Sequence, residues 1–185
     1  NLGGFLGYWL APELRTFIDG RLDHVPTSVL DDYVEIRRGV RLSDERRFAG
    51  RLDSHGVDFF VGTHFRSNRY RQGTWTDHLR RFPEWLPVFA AQDCSVYMRR
   101  GTHNAENLRR IETYYADRGI DFDPDTGPNL GSALGRQQDW AKHNGVAPPN
   151  LTELRRRARA EDPEALDALA RALWRIGAFE RQVRA

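Results

Sequence analysis

Strand-length apolar blocks occur only in the first hundred residues of this chain, and beyond Arg100 apolar residues recur at helical spacing alone. That change of period limits the fold more than any other feature. A period near two places side chains on alternate faces of a sheet, whereas a period of 3.6 builds one face of a helix. Residues 5–10 and 14–18 are short apolar runs parted by Ala11-Pro12-Glu13, a turn signal. Val57 to Gly62 is β-branched and aromatic, and Trp85–Ala90 and Cys94–Arg99 predict a hairpin turning across Gln92-Asp93.

Helices are expected between the strands. Pro26-Thr27-Ser28 caps one of about ten residues, with Val29, Leu30, Tyr33, Val34 and Ile36 at helical spacing. Ser43-Asp44-Glu45 opens another, whose face carries Phe48, Ala49 and Leu52 and whose end is the glycine of Ser54-His55-Gly56. Helix, tight turn and buried strand in succession predict a parallel or mixed layer. Thr74 to Phe82 reads as a brief helix. Past residue 100, helices are expected over 104–118, 132–143, 152–160 and 163–176, with a short one at 179–183, and no strand. The Gly-, Pro- and Asp-rich stretch from Ile120 to Gly131 is expected to be a loop. Asp162-Pro163-Glu164 is a helix start, with proline at the first helical position.

The expected fold is therefore α/β. A small mixed sheet of about five strands, flanked by helices, occupies residues 1–100, and an all-helical arm occupies 101–185. Ala165, Leu169, Ala172 and Leu173 leave two readings of that arm open, a plain helical extension or a tetratricopeptide-like pair.

Charge and composition remove several functions. The net charge is +2, from 28 basic and 26 acidic residues, so there is no bulk electrostatic case for nucleic acid. Lys142 is the only lysine, and every other cation of these 28 is arginine. That bias suits bidentate recognition of phosphate or carboxylate, though a GC-rich coding sequence explains it more simply. The mean hydropathy is -0.68, and no apolar run approaches the ~18–20 residues that span a bilayer. Cys94 is the only cysteine, which excludes an internal disulfide and a cysteine-based zinc site; its strand position reads as core.

The opening Asn1-Leu2-Gly3-Gly4-Phe5-Leu6-Gly7-Tyr8-Trp9-Leu10 reads as the interior of a glycine-punctuated strand or turn, so the chain is expected to be a segment of a longer protein. This segment, with Pro12-Glu13-Leu14-Arg15-Thr16-Phe17-Ile18-Asp19-Gly20-Arg21-Leu22-Asp23 after it, resembles bacterial multi-pass membrane proteins of the GT-C glycosyltransferase type. Leu52-Asp53-Ser54-His55-Gly56-Val57-Asp58 is similar to that family's turn into a strand. Trp85, Val88-Phe89, Asp93 and Val96-Tyr97-Met98-Arg99 are similar to its later strands, so the likeness covers roughly residues 3 to 100.

The resemblance implies an extracytoplasmic domain that follows transmembrane helices and recognises a glycan or protein acceptor. It implies that the catalytic carboxylate lies in the membrane part. A more distant likeness is to the soluble part of oligosaccharyltransferase catalytic subunits. Gly7-Tyr8-Trp9 stands here where those carry an acidic Trp-Trp-Asp-Tyr-Gly motif, so acceptor-peptide recognition is not carried over.

The densest polar cluster is Asp19, Arg21, Asp23 and His24. It sits near a strand end, where ligands gather in α/β sheets, and could form a site for a sugar, phosphate or divalent ion, with Arg21 as an anion fork. The same residues also fit an ordinary Asp-Gly turn with Arg21 paired to Asp23. His64, at the end of the Val57–Gly62 strand, joins them as a ligand-binding candidate if the strands are neighbours. His78 and His103 lack a ligand-spaced partner.

Asp121, Asp123 and Asp125 resemble a calcium loop, but no glutamate lies at the required distance and Pro124 interrupts the pattern, which favours a solvated turn. The arginines at 155, 156, 157 and 159 make a basic helix face that could meet anionic lipid. Their alternation with Glu153, Glu161 and Asp162 favours an ordinary charged surface. Motifs for phosphate loops, nucleophile elbows, paired cysteines and zinc-protease helices are absent. No catalytic residue, metal site or cofactor is expected on the leading reading.

Two rival functions remain open. A free-standing interaction module would use a groove lined by Trp140, Trp174 and Phe179. A small hydrolase or nucleotidyl enzyme would need Asp19, Asp23 and His64 to converge around a pocket.

Overall fold

The computed structural model describes residues 25–42, 45–63, 79 and 82–178. The chain divides into two compact units, Asn1–Val57 and Asp58–Ala185. In the first, α1 (Thr27–Leu42) and α2 (Glu45–Ser54) are neighbours. The amide groups of Val29 and Leu30 bond the Pro26 carbonyl at 3.0 and 3.2 Å, so the helix starts where the sequence placed it. It runs for 16 residues rather than ten. Ile36, Phe48 and Leu52 are buried, but Val34, expected on the apolar face, is 41% exposed.

α2 ends in a Schellman turn: Val57 N–H reaches Leu52 O at 3.0 Å and Gly56 N–H reaches Asp53 O at 3.0 Å. Gly56 holds the left-handed position with φ 58°.

The second unit begins at the sheet. β1 (Phe59–Thr63), β2 (Trp85–Ala90) and β3 (Cys94–Arg99) form a three-stranded sheet in the order β1-β3-β2. Both pairings among the described residues are antiparallel, and this sheet has three strands where about five were expected. The helix before β1 is followed by no crossover that returns to a described parallel strand. The other two expected strands, 5–10 and 14–18, lie outside the described residues.

The predicted hairpin is present, and Val96 and Met98 share a face with Leu86 and Val88, packed with Phe59, Leu108, Ile111 and Phe122. The β2 register shifts between Pro87 and Phe89, and Pro87 lies on an edge strand of the described sheet, where a residue without N–H costs the ladder least.

The expectation of no strand beyond residue 100 also needs correcting. After a 3-10 turn (Thr102–Asn104) and α3 (Ala105–Ala116), β4 (Phe122–Asp123) and β5 (Gly127–Pro128) form a minimal antiparallel ladder. Within this hairpin the Asp123 carboxylate accepts from Asp125 N–H at 2.7 Å and Thr126 N–H at 2.9 Å. A ladder this short has no period to read.

The helical C-terminal part follows. It comprises α4 (Leu130–Arg136), α5 (Gln138–His143), α6 (Leu151–Arg159) and α7 (Pro163–Arg175). The single helix expected over 132–143 is two helices, broken where Gln137 leaves helical geometry (φ -125°, ψ 53°). Asn129 caps the first of them, accepting from Ser132 N–H at 3.1 Å.

α6 and α7 are adjacent and joined by a Schellman turn in which Glu161 takes the left-handed position (φ 58°) that glycine usually fills. The Asp162 carboxylate caps α7, accepting from Glu164 and Ala165 N–H at 3.0 and 3.3 Å, with Pro163 in the first turn as expected.

The sheet and the helices share one unit because the hairpin tip is anchored in the helical part. Gln92 N–H bonds Gly145 O at 2.9 Å, and its side-chain Nε2 donates to Val146 O at 2.9 Å and Ala172 O at 3.2 Å. The two compact units part at Val57 and Asp58.

Gln92→Ala removes both side-chain bonds and leaves their carbonyls to find water. The expected cost is about 2 kcal/mol, from roughly 1 kcal/mol per bond. Urea unfolding followed by tryptophan fluorescence would measure it, and an unchanged midpoint would show that the side-chain bonds do not anchor the tip.

Candidate functional site

Of the residues singled out by sequence, Asp19, Arg21, Asp23, His24, His64, His78 and Phe179 lie outside the described residues. Trp140 is described. It stands half-buried on α5, edge-on to Tyr115 with ring centroids 6.0 Å apart, and its Nε1–H donates to the Tyr114 hydroxyl at 3.2 Å. That ring belongs to an internal aromatic cluster, and its polar end is already used. Trp174 is half-buried on α7.

The cluster is centred on Tyr115. Its ring stacks on Phe122 at 5.5 Å and meets Tyr114 edge-on at 5.2 Å, and its hydroxyl donates to Val88 O at 2.7 Å. Burial pushes the phenol above its ordinary range, with Tyr114 adding to the effect. On the outer side the Arg118 guanidinium lies 3.7 Å from the Tyr114 ring centre, a cation–π contact at the surface.

Two polar constellations appear that sequence reasoning missed. In the first unit, Asp32 accepts from His55 Nε2 at 2.8 Å and pairs with Arg51 at 2.9 Å, while Arg51 also donates to Glu35 at 3.2 Å. These groups link α1 to α2. In the second unit, His103 Nε2 meets Asp58 Oδ1 at 2.8 Å, both side chains about half exposed (53% and 45%).

The His103 ring lies over Gly101, so closely that a Cβ there would stand 2.6 Å from it. Nearby, buried Asn104 donates to Arg99 O at 2.9 Å and fixes the turn. The partners are 23 and 45 residues apart in sequence, and no spacing rule connects them.

Other candidates resolve into surface chemistry. Arg100 donates to the carbonyls of Pro124 and Asp125 at 2.5 and 2.6 Å, clamping the aspartate-rich turn through its backbone. Among the described residues, no group of three or more His, Cys, Asp or Glu side chains is placed to hold a metal ion.

Along α6, Arg156 pairs with Glu153 at 2.6 Å and Arg157 with Asp162 at 2.6 Å. The hydrogen bond from Arg157 holds the Asp162 carboxyl below its usual range. Its contribution to stability is therefore present above the ordinary carboxylate pKa and lost as pH falls through the lowered one, weakened throughout by solvent screening. Burial, with Asp93 beside it, raises the Cys94 thiol above its ordinary range.

An open concavity of about 440 Å³ lies between α3 and β4, lined by Glu112, Ala116, Gly119, Ile120, Asp121 and Phe122, among others.

Taken together, these features define a mixed α/β protein with a helical C-terminal part. Comparison with protein-family models, curated proteins and solved structures finds no match.

Proposed function

We propose that this chain is an extracytoplasmic domain of a polytopic membrane protein resembling the GT-C glycosyltransferases. It recognises a glycan or protein acceptor, or a partner, and does not transfer sugar alone. The observation that supports the reading is local. The segments Leu52–Asp58 and Trp85–Arg99, which carry the later part of the resemblance, form a glycine-capped turn into a strand and a two-stranded hairpin. The first is the kind of turn the resemblance implies for Leu52–Asp58.

No helix among the described residues is long and apolar enough to cross a membrane, so on this reading the membrane attachment comes from other parts of the protein.

A second reading, a protein-interaction module, draws on the α6–α7 pair, where Ala165 and Ala172 are buried in the manner of stacked helical hairpins. The two readings part on one assay. Membranes containing the intact protein should transfer labelled sugar to an acceptor, and membranes containing the protein without this segment should need more acceptor or lose transfer. The isolated chain should give no turnover. Sugar transfer by the isolated chain would overturn the proposal, and intact protein without transferase activity would favour the interaction module.

A further inference from the structure

We draw no further inference here: the strongest candidate, the open concavity between α3 and β4 floored by Ile120 and Phe122, carries its two carboxylates, Glu112 and Asp121, unburied, and nothing in the structure shows what covers it.

Discussion

Gly127→Ala is expected to destabilise the second unit by about 2–5 kcal/mol, the sum of a left-handed backbone penalty and a steric clash. Gly127 has φ 79°, a conformation that costs an alanine roughly 1–2 kcal/mol. A Cβ there would also lie 2.0 Å from the Pro87 carbonyl oxygen, which is backbone and cannot rotate away. Moving it means parting β5 from the edge of β2, a change of the kind that costs about 1–3 kcal/mol.

Gly56 provides the control. Its φ is 58° but nothing lies within 4 Å of the added carbon, so Gly56→Ala should show the backbone penalty alone. Urea midpoints for the two variants decide the matter. If Gly127→Ala costs no more than Gly56→Ala, the close approach of β5 to β2 is wrong.

Tyr115→Ala should cost about 3–5 kcal/mol, the range for deleting a large buried aromatic ring. The residue is 2% exposed and packs against Phe122, Trp140 and Tyr114 in a core that also contains Leu130, Leu134 and Ile176. Tyr115→Phe isolates the hydroxyl. It leaves the Val88 carbonyl without this donor and should cost about 1–2 kcal/mol.

The phenol also predicts a pH signature. Its pKa is raised in the folded state, so the neutral form is favoured by folding. That stability is complete below the unfolded value near 10 and is lost as pH rises above it. Unfolding midpoints measured from pH 8 to 11 should fall more steeply for the native chain than for Tyr115→Phe. Equal slopes would mean that the hydroxyl is not buried.

Much of the local structure was legible because it depends on neighbours in sequence. Pro163 after the Asp162 cap, glycine at position 56 and the β2–β3 hairpin each rest on a short-range rule about φ, capping or alternation. The misses share a different cause. The break at Gln137 lies inside a stretch whose apolar spacing continues through it, and the β4–β5 ladder is two residues long on each side.

The polar pairs were hidden for a stronger reason: Asp58 with His103 and Asp32 with His55 are contacts of the folded chain, and neither residue type at either position signals its partner. Among the expected site residues, only Trp140 and Trp174 lie in the described part, and Trp140 spends its indole N–H on Tyr114.

The placement outside the cytoplasm can be tested most directly by protease accessibility. Cells expressing the natural gene would be converted to spheroplasts, treated with protease and fractionated, and this chain followed with an antibody. The proposal predicts that it sediments with membranes and is cleaved from outside while the spheroplasts remain sealed, with hydrophobic spans of ~20 residues supplying the anchor. Recovery of the intact chain in the soluble cytoplasmic fraction, protected until the cells are broken, would contradict it.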